Sequence, residues 1–301
     1  MRKNIGLDTN SATPITGELE ILSIELPEIE ILSGQMDNVL RAKVIEGVLV
    51  DNYVNLQKFK FFNADITDYD LLKGCEIKSV KGRGTVIRIQ CDKSMNLLLA
   101  PEMGGDIRYH EKGEQLPKKL HLRVDFTDGS ALTVSLKGFG LAYVANDDKL
   151  EQVYSYRRDF LEGVSPLEEK FTLDYVVEAL EKKKKTLKTL MVGKEAIVVG
   201  LGNAGFQEIA YEAGIHPKKK SSSLKESEKK ALHSAIRTVV ESRIKNGGKV
   251  TFWDLFGKRG THTPYMGGHM RNQPCPKCGT TIQRLAFQGG PTYLCPDCQK
   301  E

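Results

Sequence analysis

The chain has 301 residues, 40% of them apolar and 28% charged, which is more than one small domain needs and too apolar for disorder to be its main state. No window reaches the roughly 18 uncharged apolar residues of a membrane span, and the amino end lacks the apolar stretch of a signal peptide, so a cytoplasmic protein with no membrane partner is expected. Its 44 basic and 39 acidic residues leave a net charge of +5, which speaks to partners and not to fold.

Residues 1–23 are polar, with Asn10-Ser11-Ala12-Thr13-Pro14 near the middle, and read as an extension. Pro27 and Glu28 then open a helix whose apolar residues Leu32, Met36, Val39 and Leu40 fall at three- and four-residue spacing. From Val44 to about Val144 the period is two. Leu122-Arg-Val124-Asp-Phe126 and Leu132-Thr-Val134-Ser-Leu136 flank an Asp-Gly turn, the mark of a hairpin. Val86–Cys91 and Leu97–Ala100 fit further strands, among which Cys75 and Cys91 read as small buried apolar residues. Residues 24–150 are therefore expected to form a domain of antiparallel strands, sandwich or barrel, carrying one helix.

A polar linker is expected near Ala145–Gly163, and the period then returns to 3.6 across a helical domain, residues 151–256. Helices are predicted over Leu173–Leu180 and Thr186–Val192. Asn203 is expected to cap Ala204–Ala213, which Gly214 and His216-Pro217 end. Ser223 and Glu226 are expected to form the capping box of a long helix running through Ile244 to Gly247-Gly248. Its stripe of Leu232, Ala235, Ile236, Val239 and Val240 reads as core. There are no internal repeats.

Lysines gather in this helical part: Lys182–Lys185, Lys188, Lys194 and Lys218–Lys220 surround the turn Val199-Gly200-Leu201-Gly202-Asn203. Such a run is either a solvated face or a grip on a phosphate backbone, where helix N-termini offer N–H groups and glycines allow close approach. The Gly-x-Gly lacks the third glycine and the strand–helix context of a dinucleotide site.

Residues 257–301 hold four cysteines as Cys275-Pro-Lys-Cys278 and Cys295-Pro-Asp-Cys298, with 16 residues between the pairs. That spacing suits a four-thiolate zinc ribbon, with Ile282–Gln288 and Thr292–Leu294 as its hairpin. Two disulfides are the alternative, and the want of a secretion signal stands against them. The cofactor expected is zinc (Zn2+), on which the fold of so short a tail should depend.

Taken in order, these pieces resemble the formamidopyrimidine-DNA glycosylase / endonuclease VIII family. The stretches that carry the resemblance are Glu25-Leu-Pro-Glu-Ile-Glu30, Ser165-Pro-Leu167, Val199-Gly-Leu-Gly-Asn203 and Ala213-Gly-Ile-His-Pro217, continuing with Asp254-Leu-Phe-Gly257 and the two Cys-Pro-x-Cys turns. The resemblance implies an α+β multidomain fold: an N-terminal antiparallel β-sandwich with a helix, a helix–two-turn–helix domain and a C-terminal zinc ribbon. It also implies a monomer that works in base-excision repair on damaged or abasic double-stranded DNA, nucleoid-associated in a bacterium. In that family the amine of an N-terminal proline attacks the sugar of a flipped nucleotide.

Residue by residue, the resemblance makes Glu25 the catalytic carboxylate, with service to a helix dipole as its alternative. Asn203 and Gly202 become phosphate-binding turn residues, and Lys188 joins the DNA-binding set. Met103 and Phe139 fall where the family fills the gap left by the flipped base; core packing is their alternative. Three positions depart from the pattern. Ile24 occupies the place of the proline and follows 23 residues, so its nitrogen is an amide without nucleophilic character. Thr85 stands for a strand lysine, and Gly290 for the zinc-finger arginine. Two functions follow: a divergent glycosylase or AP lyase using another amine or an activated water, or a catalytically silent protein that binds damaged DNA.

Overall fold

A computed structural model describes residues 23–57, 62–102, 104–137, 140–288 and 290–301. Helix α1, Leu26–Leu40, starts where expected, with Pro27 in its first turn, and the side chain of Glu28 accepts from the backbone N–H of Glu25 at 3.1 Å. Its residues Ile29, Leu32, Met36 and Leu40 are buried against strand β2, Ile77–Arg83. Close packing there needs Gly82, because a Cβ at that position would lie 2.8 Å from a methyl of Ile29.

The period-two region forms two antiparallel four-stranded sheets. Strands β2, β3 (Val86–Cys91), β4 (Met95–Ala100) and β8 (Leu141–Asn146) pair in that order. Strands β1 (Ile45–Val50), β6 (Leu122–Phe126), β7 (Ala131–Ser135) and β5 (Asp106–His110) make the other sheet. Alternate residues of both face one shared core, among them Ile45, Ile87, Ile89, Leu97, Leu99, Val124, Phe126, Leu132 and Val134. The arrangement is a sandwich, and the Asp-Gly hairpin pairs Val124 with Leu132 as its alternation requires. Cys75 and Cys91 are buried thiols.

Residues 145–163 do not form a polar linker. They wind through 3-10 turns and a π-helical turn, Arg157–Glu162, and Leu150 and Tyr156 pack onto Leu98 and Ala100 of β4. This explains why every residue of β4 is buried: one side faces the sandwich and the other lies under this segment.

Beyond it, α2 (Leu173–Lys183), α3 (Leu187–Met191), α4 (Asn203–Glu212) and α5 (Glu226–Lys245) enclose a second core of Phe171, Leu180, Leu190, Phe206, Ile236 and Val240. Leu26 of α1 joins it, so the two cores meet at the first turn of α1. Two capping expectations are corrected. Asn203 is itself the first helical residue after Gly202, and its side chain caps nothing. At α5 the reciprocal carboxylate is Glu228, which accepts from the Lys225 N–H at 2.8 Å, while Ser223 sits in a separate turn. Gly247 and Gly248 close α5 with φ of 66° and 89°, in the left-handed region that favours glycine. Strands β9 (Gln283–Ala286) and β10 (Pro291–Leu294) form the terminal hairpin. No helix among the described residues is long and apolar enough to cross a membrane.

Candidate active site and zinc centre

Glu25 lies where the two cores meet and is 2% exposed. Its carboxylate accepts from Arg243 Nη1 at 2.7 Å, from the Gly205 N–H at 3.0 Å and from Ser23 Oγ at 3.1 Å. It therefore sits at the N-terminus of α4, held by that helix's free N–H and its dipole. The glycines of the Gly-Leu-Gly-Asn turn serve this contact: a Cβ on Gly202 would lie 2.5 Å from Glu25 Oε1, and one on Gly205 2.6 Å from Oε2. The close approach expected for a phosphate is here taken by a carboxylate of the same chain. Gly200, with φ 79°, in turn lies on the backbone of Gly84, where a Cβ would meet the carbonyl oxygen at 2.6 Å.

Arg243 is the hub of this junction and is fully buried. It also binds Glu28 through Nη2, at 2.7 and 2.9 Å, and stands 3.9 Å from Glu208. Glu208 accepts from His262 Nε2 at 2.7 Å and from the Tyr265 N–H at 3.0 Å. Burial alone would push the Glu28 carboxyl up, but the charges of Arg243 and Lys249 outweigh it and hold the group below its usual range. Sequence reasoning missed Arg243, although a signal existed: it continues the stripe of Val239 and Val240 at helical spacing, where an apolar residue is expected.

Beside Glu25 is a cleft of about 220 Å³ lined by Ser23, Ile24, Asp106, Arg108, Lys137, Lys249 and Trp253, among others. The Ile24 N–H donates to the Glu102 carbonyl at 2.9 Å, as an ordinary peptide group does. Lys249 is 5% exposed, and its ammonium donates to the Ser23 carbonyl at 2.5 Å. Trp253 is 42% exposed and carries the guanidinium groups of Arg259 and Arg108 at 4.5 and 5.5 Å from its ring centroid.

The other predicted residues are dispersed. Asn203 Nδ2 donates to the Pro291 carbonyl at 2.9 Å, tying α4 to the terminal hairpin, and its buried Oδ1 has no partner among the described residues. Lys188 is not a presented cation. It is 3% exposed and gives its protons to the Phe287 and Gly290 carbonyls and to Thr292 Oγ1, at 2.6, 3.3 and 2.9 Å. Burial lowers its pKa. Several other lysines of the run are likewise occupied, Lys182 by Glu178, Lys183 by the Glu195 carbonyl and Lys219 by Glu228. Met103 and Phe139 lie outside the described residues.

Thr85 is bonded through both its N–H (2.7 Å) and its Oγ1 (3.0 Å) to Asp159. Arg158 from the π-helical turn donates Nη2 to the same Oγ1 at 2.7 Å. A guanidinium thus stands beside a position that sequence reading left uncharged.

Cys275, Cys278, Cys295 and Cys298 place their Sγ atoms within 4.8 Å of one another, with pairs at 3.4 and 3.8 Å. Four thiolates at about 2.3 Å from one ion would be about 3.8 Å apart, so the set fits tetrahedral zinc with every position filled by protein. These separations are far longer than a disulfide's bond of about 2.05 Å, and all six cysteines are free. Tyr211 Oη lies 3.2 Å from Cys275 Sγ, linking α4 to the centre.

Three family models match the chain. Residues 24–142 match the formamidopyrimidine-DNA glycosylase N-terminal domain, residues 163–253 its H2TH domain, and residues 272–300 the zinc finger found in FPG and IleRS. The formamidopyrimidine-DNA glycosylase of Cytobacillus firmus is 30% identical over 282 residues, covering 91% of this chain and 99% of that protein. That of a Wolbachia strain from Drosophila simulans is 30% identical, with the same coverage. Among solved structures, the Lactococcus lactis Fpg in complex with an abasic site containing DNA is 25% identical with a TM-score of 0.80, covering 92% of this chain and 100% of that one. The Thermus thermophilus protein, at 21% identity and a TM-score of 0.79, shares the fold over 92% of this chain.

Proposed function

This chain belongs to the formamidopyrimidine-DNA glycosylase family, and from that premise we propose that it binds damaged or abasic duplex DNA as a glycosylase of base-excision repair. The observation that carries this reading is the cleft at Ser23 and Ile24, where Arg108, Lys137 and Lys249 outnumber the single carboxylate Asp106. A positive concavity beside an exposed indole suits a phosphodiester and a base taken out of the stack. The bonding of the Ile24 N–H argues that the α-amine of the family proline has no counterpart at this residue.

Within this reading Glu25 is a positioning residue as much as a reactive one, since its acceptor sites are filled by Arg243, Gly205 and Ser23. Asn203 keeps a buried Oδ1 without a partner among the described residues, and Arg158 supplies a guanidinium beside Thr85, so the backbone contact shifts to the π-helical turn. The zinc centre holds the terminal hairpin in place and takes no part in bond breaking, because all of its positions are protein thiolates. We take the protein as a cytoplasmic monomer.

The test is binding of the full chain to matched duplexes, intact, carrying an oxidised purine, or carrying a reduced abasic site, followed by base release from the second. Tighter binding to the lesion duplexes with release of the base supports the reading. Equal affinity for all three overturns it, and lesion preference without release identifies a silent binder.

A further inference from the structure

Resting on the reading above, we propose that Lys249 is the amine nucleophile of this protein, forming a Schiff base with the C1′ aldehyde of a ring-opened abasic site in the cleft. Lys249 Nζ is 2.5 Å from the carbonyl oxygen of Ser23, the carbonyl of the peptide whose nitrogen belongs to Ile24. With ordinary C=O and C–N bond lengths, the amine is therefore no more than about 5 Å from the Ile24 nitrogen, the position that a terminal amine would occupy. A side-chain amine has been brought to the point where the backbone offers only an amide.

Lys249 is 5% exposed, and the Ser23 carbonyl is its only hydrogen-bond acceptor among the described residues. Lys188, by contrast, shares its three protons among Phe287, Gly290 and Thr292. Lys249 also lines the cleft together with Ser23, Ile24 and Trp253, a space that a sugar can enter. Its backbone is fixed from two sides, by the Glu28 carboxylate on its N–H at 3.3 Å and by the bridge to His262. A nucleophile held this way needs little further ordering before attack.

The step balances without a co-reactant. The lysine ammonium and the C1′ aldehyde give a protonated imine and one water: the C–N bond forms, the carbonyl oxygen leaves with two protons from nitrogen, and nothing is oxidised. Borohydride then delivers hydride to the imine carbon and fixes the link as a secondary amine.

The experiment is borohydride trapping of the full chain on a duplex carrying one abasic site, with the adduct located by peptide mass spectrometry. Affinity for a duplex with a reduced abasic site is measured in parallel. The wild type should form an adduct on Lys249. Lys249→Arg, which keeps the charge and a donor to Ser23, should still bind the reduced-site duplex, so that loss of its adduct to background reports the missing amine and not lost binding. An adduct on Met1, Lys137 or any other amine overturns the proposal, as does undiminished trapping by Lys249→Arg. Binding by the wild type without any adduct overturns it too, while leaving the DNA-binding reading intact. Failure to bind the abasic duplex at all sinks that reading, and this proposal with it.

Discussion

Arg243 Nη1 lies 2.7 Å from Glu25 Oε2, so the last turns of α5 are fastened to the residue that opens α1, 218 positions earlier in the chain. The same guanidinium holds Glu28, and both carboxylates are buried. The bond therefore ties the sandwich to the helical domain next to the cleft that Ser23, Ile24 and Lys249 share.

Removing this cation leaves two buried carboxylates without a counter-charge. Arg243→Met should lower stability by roughly 3–5 kcal/mol, the usual cost of breaking a buried pair by deleting one partner. Urea unfolding followed by circular dichroism measures it. A loss under about 1 kcal/mol, the scale of an exposed ion pair, would show that the network contributes little.

A second prediction concerns pH. Burial raises the Glu30 carboxyl to about 7, with Arg83 opposing the shift and Glu168 adding to it. Because the folded-state value lies above that of the unfolded chain, the group favours the fold when protonated. That contribution is complete below about pH 4.5 and is lost as pH rises through 7. Glu30→Gln should thus stabilise the protein by up to roughly 3 kcal/mol at pH 8 and leave it nearly unchanged at pH 4. Equal urea midpoints for variant and wild type at pH 8 would contradict this.

The third prediction concerns the metal. Cys278→Ser, or chelation under reducing conditions, should abolish stoichiometric zinc and loosen the hairpin β9–β10. Lys188 and Asn203 would then lose the Phe287, Gly290 and Pro291 carbonyls, so α3 and the start of α4 should lose amide-exchange protection as well. Protection confined to its native pattern outside the hairpin would show that these ties do not couple the two parts.

Much of the fold was legible because its signals are local. The Asp-Gly hairpin, the period-two strands, the stripe of α5 and the paired Cys-Pro-x-Cys turns each carry their instruction within a few residues. The site was less legible because its contacts are not local. Lys188 reads in the sequence as a DNA-binding cation, and only the fold brings Phe287, Gly290 and Thr292 around its amine. Asn203 looked like a cap, yet its amide reaches Pro291. Long polar side chains can turn into the protein or out of it at the same helical position, and spacing alone does not separate the two.

The last prediction concerns how DNA is held where Thr85 and Gly290 offer no charge. Arg158 is about one-third exposed, and Asp159 binds its Nε and Nη2, which leaves Nη1 without a partner among the described residues. It lines a cleft with Lys183, Lys194, Gly200 and Leu201, beside the turn that leads into α4. Arg158→Ala should weaken binding to damaged and intact duplex alike, since a phosphate contact carries no base information. It should also reduce the slope of log affinity against log salt by about 0.9, the share of one neutralised phosphate. Arg158→Lys should keep most of the slope but lose the fixed aim of the guanidinium, because lysine offers a point charge in place of a planar fork. Asp159 anchors the turn through Thr85 in either variant, so an unchanged melting temperature separates lost contact from lost fold. An unaltered affinity and salt slope in Arg158→Ala would place the backbone contact elsewhere.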